Sequence, residues 1–183
     1  TVRASVARIA LEAGADIIND ISGGKDTDMK QVLKEYKDAL YILTHSLGLF
    51  STMHDSYMYK DMFEELRRYY EESLIKLSLS SSRVIFDIGI GFSKNYNQNI
   101  EALESARRIK LAIRSPVLVG VSRKGFIGKI IHESDPKARD SASAMIHTLL
   151  LGTKSADIIR THNSLLLHQT ITLLNTISFQ KTL

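Results

Sequence analysis

Residues 11–18, LEAGADII, and residues 150–159, LLGTKSADII, decide the fold, because each is a helix end followed directly by a short strand. In the first, Gly14 stands where a left-handed cap ends a helix whose apolar residues are spaced three and four apart. Gly152 takes the same place in the second. A unit of helix, stop and strand that returns late in the chain is typical of an α/β barrel.

Short apolar runs between these two segments continue the alternation, and five strands are predicted in all: residues 15–22, 39–45, 83–87, 116–121 and 156–162. Right-handed crossovers wind such parallel strands in one direction. A complete eight-stranded barrel needs about 250 residues. The sequence therefore predicts a single domain, residues 1–183. We expect a partial TIM barrel that contains the last five strands, with the N-terminal strands absent. An open doubly wound parallel sheet is the alternative that the pattern leaves open.

Helical periodicity and cap residues predict the connecting helices. They cover the start of the chain, a stretch from Asp26 or Thr27 to about residue 36, then about 58–77, 97–113, 136–151 and the segment after the last strand. Residues 122–125, SRKG, are interpreted as the loop that closes the fourth strand.

Composition indicates a globular protein and excludes several functional classes. Of the 183 residues, 44% are hydrophobic and 24% charged, with a net charge of +4 and no Cys. The absence of Cys excludes disulfides and thiolate chemistry. No basic run is interleaved with aromatic residues, so we expect no nucleic-acid partner. No run approaches the roughly 18 apolar residues of a membrane span, so we expect no membrane partner and an intracellular protein.

Polar side chains end every predicted strand, at the edge where α/β proteins carry their active sites. Taken singly, each has a structural explanation as a turn former, a buried histidine or a surface charge. A shared pocket explains them together better than coincidence does. The residues are Asn19, Asp20, His45, Asp87, Ser122, Lys124, Arg160 and His162.

The chemistry of these residues suggests two halves of one site. Lys124, Arg160 and His162 follow the last two strands, where barrels commonly bind phosphate, and all three can donate hydrogen bonds to an anion. Asp87 and Asn19 differ, because a carboxylate accepts N–H bonds from a guanidine-like edge and an amide both donates and accepts. That pair suits a nitrogen-rich heterocycle.

Four blocks of the chain, residues 10–24, 87–99, 116–128 and 156–163, resemble successive blocks of the dihydropteroate synthase family in order and spacing. SRKGFIG, with NDISGG and GIGF, is the most specific part. The block at residues 42–53 is weaker. There, His45, Gly48, Thr52 and Met53 match the family, whereas Thr44, Ser46 and Leu47 depart from it, as do Ile88 and Gly125 elsewhere.

The resemblance implies a transferase of folate biosynthesis, which condenses p-aminobenzoate with hydroxymethyl-dihydropterin pyrophosphate to give dihydropteroate and pyrophosphate. It also implies that sulfonamides target the protein. Carried over by motif position, the implied pterin-binding residues are Asn19, Asp87 and Lys124, the pyrophosphate-binding residues are Arg160 and His162, and the residues bordering p-aminobenzoate are Phe92, Lys124 and Gly125. Asp87, Lys124 and Arg160 are the implied catalytic residues.

Further expectations follow from the same resemblance. It implies a Mg²⁺ cofactor whose protein ligand lies before Thr1, with no metal ligand in this chain, so this chain alone is expected to be inactive. It implies a homodimer of the full-length protein, possible fusion to other folate-pathway domains, and a cytoplasmic location, or a mitochondrial one in a eukaryote. Two alternatives remain: a catalytically incomplete pterin-binding module and a pterin-dependent methyltransferase domain.

Overall fold

A computed structural model describes residues 1–48 and 57–177, which form one parallel five-stranded sheet with helices between the strands. The family matches at Thr52 and Met53 lie outside the described residues. The strands are β1 (Ile17–Asp20), β2 (Leu40–Thr44), β3 (Val84–Asp87), β4 (Val117–Val119) and β5 (Ile158–Ile159). Each strand pairs in parallel with the next along the chain.

The strand order β1-β2-β3-β4-β5 decides between the two predicted architectures. A doubly wound sheet contains a point at which the strand order reverses and the helices change face. The described strands have no such reversal, because every crossover moves one strand in the same direction. The open doubly wound alternative is therefore wrong, and the winding of a barrel is confirmed.

Seven helices lie in the described part of the chain, and six of them match the sequence prediction to within a few residues. They are α1 (Ala4–Glu12), α2 (Met29–Glu35), α3 (Met62–Leu77), α4 (Tyr96–Ala112), α5 (Gly125–Ile131), α6 (Asp140–Gly152) and α7 (Ser164–Thr176), with 3-10 turns at Ser81–Arg83 and Lys137–Arg139. None of these helices is long and apolar enough to cross a membrane.

Helix α5 corrects the interpretation of SRKG as a simple loop, because the helix begins directly at Gly125. Its sequence, GFIGKII, does not predict a helix, since each glycine disfavours a helix by about 1 kcal/mol relative to alanine. The tertiary structure requires the second glycine. A Cβ at Gly128 would lie 2.5 Å from the carbonyl oxygen of Glu133 and 2.6 Å from Arg139 Nε.

The register of the sheet brings the carboxyl ends of neighbouring strands together at the same end of the sheet. Asp87 at the end of β3 stands beside Thr44 at the end of β2, and Val119 at the end of β4 stands beside Ile159. All four residues of β3 are buried, as expected for a central strand covered on both faces. The loops after the strands therefore meet above a rigid core.

Candidate active site

A cavity of about 240 Å³ opens at the carboxyl ends of the strands. It brings together five of the eight polar residues that end the predicted strands. The lining residues are Asn19, Ile21, Phe92, Gly120, Ser122, Lys124, Arg160, Thr161 and His162. Asp87 joins this set through Arg160.

Asp87 and Arg160 form an ion pair beneath the cavity. Arg160 Nη2 lies 2.8 Å from Asp87 Oδ2, and the other carboxylate oxygen accepts a hydrogen bond from the backbone N–H of Gly89 at 2.9 Å. The guanidinium extends across Gly120, where a Cβ would lie 3.1 Å from Nη2. The two residues assigned by sequence to different halves of the site are thus in direct contact, which couples their charges.

Lys124 and Phe92 form one wall of the cavity. The ammonium of Lys124 lies 4.5 Å from the centre of the Phe92 ring, within the range of a cation–π contact. Burial lowers the pKa of Lys124, the negative charge of Asp87 raises it, and Arg160 lowers it further. This lysine therefore loses its proton more readily than a surface lysine does.

His162 and Ser122 form the opposite, more open side. Ser122 Oγ accepts the backbone N–H of His162 at 3.1 Å and lies 2.9 Å from the imidazole Nδ1. His162 is exposed and lines the cavity together with Arg160. Ser122, which the sequence predicts only as a strand-end residue, therefore orients His162, the residue predicted to bind an anion.

Three buried polar atoms of this site make no hydrogen bond within the described residues: Asn19 Oδ1, Asp87 Oδ2 and Arg160 Nη1. The contact of Asp87 Oδ2 with Arg160 is an ion pair without hydrogen-bond geometry. Buried polar atoms are seldom left without partners, because each costs about 1–3 kcal/mol. A ligand with both N–H donors and anionic oxygens would satisfy these atoms.

The remaining predicted strand-end residues lie outside the cavity lining. Gly125 occupies an exposed position at the start of α5, so its contact with a substrate stays a prediction. Asp20 is structural: it accepts bonds from the Ser22 side chain, from Gly24 N–H and from the Tyr41 hydroxyl. His45 is fully buried and does not line the cavity.

His45 belongs to a buried polar cluster that sequence reasoning did not find. Lys94 Nζ lies 2.7 Å from His45 Nδ1, and His45 Nε2 faces Glu65 Oε1 at 3.7 Å. Burial and the neighbouring lysine charge lower the pKa of His45 to about 3, although Glu65 opposes this shift, so the imidazole is neutral. The available signal was a lysine that follows a glycine-containing loop and directly precedes the helix cap Asn95.

Metal-binding side chains do not cluster in the described part of the chain: no group of three or more His, Asp or Glu residues is placed to hold an ion. The site offers instead one carboxylate, two cationic side chains and one imidazole around a cavity with an aromatic wall. Such a set can bind a planar heterocycle at the Asp87 end and an anion at the Arg160 end.

Comparison with known proteins supports this interpretation. The family described as Pterin binding enzyme matches residues 1–162. A dihydropteroate synthase of Synechocystis sp. is 39% identical over 168 residues, which cover 89% of this chain and 57% of the relative. A mitochondrial folate synthesis bifunctional protein of Pisum sativum is 38% identical over 179 residues, covering 89% of this chain and 34% of the relative. The chain thus spans less than two thirds of these relatives.

Solved structures show the same similarity in three dimensions. A dihydropteroate synthase from Clostridium difficile, solved in the presence of pteroic acid, superposes with a TM-score of 0.84 at 28% identity, over 96% of this chain and 65% of that one. A dihydropteroate synthase from Thermus thermophilus, in complex with 4-aminobenzoate, gives a TM-score of 0.87 at 28% identity, over 96% of this chain and 68% of that one. Sequence, fold and cavity agree, and the chain belongs to the pterin binding enzyme family.

Proposed function

We propose that this chain forms the pterin-binding part of a dihydropteroate synthase. That transferase joins p-aminobenzoate to hydroxymethyl-dihydropterin pyrophosphate and releases dihydropteroate and diphosphate. The names of both sequence relatives support the proposal, as do the pteroic acid and 4-aminobenzoate complexes of the solved relatives. The observation that carries it is the meeting of a buried carboxylate with cationic side chains around one cavity.

The reaction places opposite charges at the two ends of the pterin substrate. The amine nitrogen of p-aminobenzoate forms a bond to the methylene carbon, the bond from that carbon to the diphosphate oxygen breaks, and the amine proton passes to water. Positive character develops on the methylene carbon and negative charge on the departing diphosphate. Asp87 is suited to stabilise the first and Arg160 the second. An aromatic amine is a competent neutral nucleophile, so no general base is assigned.

The other cavity residues divide between the same two ends. Asn19 and Lys124 would hold the pterin with Asp87, because they supply an amide and an ammonium at its edge. His162 would bind the diphosphate beside Arg160. Phe92, with the turn at Lys124 and Gly125, would border p-aminobenzoate, a site at which sulfonamides would compete.

Magnesium stays an expectation from the family resemblance. The described residues offer no cluster of ligands for the ion, so we assign it no protein ligand and no step here. Calorimetric titration of the full-length protein with diphosphate, with and without Mg²⁺, would test whether the ion contributes to anion binding.

Two alternative functions compete with this proposal. Both sequence relatives carry names from folate synthesis, which favours a synthase over a methyltransferase domain.

The proposal also includes partners and a location. Relatives named as bifunctional proteins support fusion to another folate-pathway domain. A homodimer, and a location in the cytoplasm or in mitochondria, remain part of the proposal. Turnover by the full-length protein would exclude the catalytically incomplete module.

The direct test is an assay of the full-length protein with p-aminobenzoate and hydroxymethyl-dihydropterin pyrophosphate. We expect equal amounts of dihydropteroate and diphosphate to form. The rate should saturate as the concentration of p-aminobenzoate is raised. Binding of a pterin without any turnover would instead support the incomplete module, and absence of binding would refute the proposal.

Two variants test the division of the site. Asp87→Asn should weaken pterin binding by about tenfold or more and diphosphate binding less, because it removes a charged acceptor that faces the ring. Arg160→Ala should do the reverse. Since the two side chains form an ion pair, neither variant will spare the other ligand fully. Calorimetry with each ligand is the measurement, Arg67→Ala on the surface of α3 is the control, and equal losses of both ligands would contradict the division.

A further inference from the structure

Lys94 is a buried lysine that the proposed chemistry does not use. It is only 6% exposed and is not part of the cavity lining. The ammonium contacts three neutral acceptors: the carbonyl oxygens of Gly89 at 3.0 Å and Phe92 at 3.2 Å, and Nδ1 of His45 at 2.7 Å. An ammonium has three protons, so each acceptor is matched by one donor.

The three acceptors belong to two different loops. Gly89 and Phe92 are two points of the turn after β3, and His45 lies in the loop after β2. The loops touch closely, because a Cβ at Gly89 would lie 2.0 Å from the carbonyl oxygen of His45. A lysine that bonds to both ends of the Gly89–Phe92 turn and to the adjoining loop fixes the turn in place.

That turn carries the aromatic wall of the cavity. The Phe92 ring packs against the Lys124 ammonium, and a Cβ at Gly91 would lie 3.1 Å from Lys124 Cδ. The same turn supplies the Gly89 N–H that bonds to Asp87. A shift of the turn would therefore move Phe92 and Lys124 directly. His162 and Ser122, which follow β5 and β4, bond to each other, whereas the turn follows β3.

We propose that Lys94 is a positioning residue for the aromatic half of the cavity, acting through the Gly89–Phe92 turn on Phe92 and Lys124. The inference rests on the proposed function, since it assumes that a planar ring occupies this half. It assigns Lys94 no contact with substrate. A purely structural role for Lys94 would instead affect folding without distinguishing one ligand from another.

The test compares two ligands in the full-length protein by calorimetry: pteroate, which carries a pterin ring and a benzoate ring, and inorganic diphosphate, which probes the Arg160 end. Lys94→Met keeps an unbranched side chain as far as Cε and removes the ammonium with all three donors. We expect pteroate to bind about tenfold more weakly, because the turn loses the bonds from Lys94 to the carbonyl oxygens of Gly89 and Phe92, and diphosphate to change by about twofold at most. Equal losses of both ligands, or no loss of either, would overturn the inference.

A double-mutant cycle separates positioning from general destabilisation. Phe92→Leu removes the aromatic wall itself, and the variant with both changes should lose less pteroate affinity than the sum of the two single losses, because both act through the same ring. Additive losses would overturn the inference. Lys76→Met is the matched control, since Lys76 donates to the carbonyl oxygen of Gly24, neither residue lines the cavity, and the change should leave both affinities unchanged.

Two further results keep the test decisive. If Lys94→Met does not fold, Lys94→Gln can be tested instead. It retains amide donors, so we expect it to lose less than tenfold in pteroate affinity and to leave diphosphate affinity nearly unchanged. A wild-type protein that binds neither ligand would refute the proposed function. A wild-type protein that binds both, with variants that fail to distinguish them, would refute only the role of Lys94.

Discussion

Burial influences the charge of Lys94 and His45, which contact each other. Desolvation lowers the pKa of Lys94 to about 7, although Asp87 and Glu65 raise it, and Lys124 lowers it further. His45 is neutral and can adapt to either state of the lysine. Its Nδ1 accepts a hydrogen bond from an ammonium in one tautomer, and donates one to a neutral amine in the other. Lys94 can therefore keep its contacts while its charge changes.

The lowered pKa of Lys94 predicts a pH dependence of stability. Between the folded value of about 7 and the ordinary value of 10.5, the unfolded chain keeps a proton that the folded protein has released. The unfolded state binds more protons there, so this contribution to the free energy of unfolding rises with pH, by at most about 1.4 kcal/mol per pH unit. Below about pH 7 it is a constant cost.

Urea unfolding of the full-length protein and of Lys94→Met, at several pH values above 7, measures this contribution. The stability of the wild type relative to the variant should increase as the pH rises. Parallel stability curves for the two proteins would show that Lys94 keeps its proton in the folded state. Lys76→Met, which alters an exposed lysine, should run parallel to the wild type.

At the level of single elements, the turn after β3 is the segment on which the site depends most. Gly89 and Gly91 both have positive φ, at +69° and +80°, and the turn ends in a capping box in which Asn95 and Gln98 exchange bonds at the start of α4. The turn donates a backbone N–H to Asp87 and accepts bonds from Lys94 at two carbonyl oxygens. The two glycines are therefore needed for conformation and for close approach.

A pair of glycine variants separates these two needs. Gly14→Ala, at a φ of +95° with open space around it, should cost about 1–2 kcal/mol of stability through backbone strain alone. Gly89→Ala adds a clash at 2.0 Å with the carbonyl oxygen of His45, so it should cost clearly more than Gly14→Ala. Denaturant unfolding of both variants is the measurement, and similar losses would show that the two loops separate easily.

For the whole molecule, the open sheet edges are the dominant feature. In the described residues β1 pairs only with β2, and β5 pairs only with β4, so neither has a strand partner on its outer side, where the carbonyl oxygen of Asn19 accepts a bond from Thr1 N. Ile17 on β1 is 44% exposed. Neither edge strand contains a lysine or a proline that would discourage pairing with another chain.

Residues 1–183 expressed alone should therefore not behave as a stable monomer. Unpaired edges favour association with other copies, and apolar area left in water costs about 25 cal/mol per Å². Light scattering should show oligomers or aggregates, and thermal melting should lack a sharp transition. A monodisperse monomer that melts cooperatively would contradict this expectation and show that five strands suffice.

The sequence by itself determined the strands, six of the seven described helices and most of the cavity residues. Those features depend on local patterns: apolar runs, helical spacing, and polar residues such as Asp87 and Arg160 at strand ends. Tertiary structure decided what depends on distance. It selected the barrel winding through strand order, formed α5 despite two glycines, paired Asp87 with Arg160, and placed Lys94 against a loop 49 residues away in sequence. No local pattern encodes such contacts, because they exist only once separate loops have been packed together.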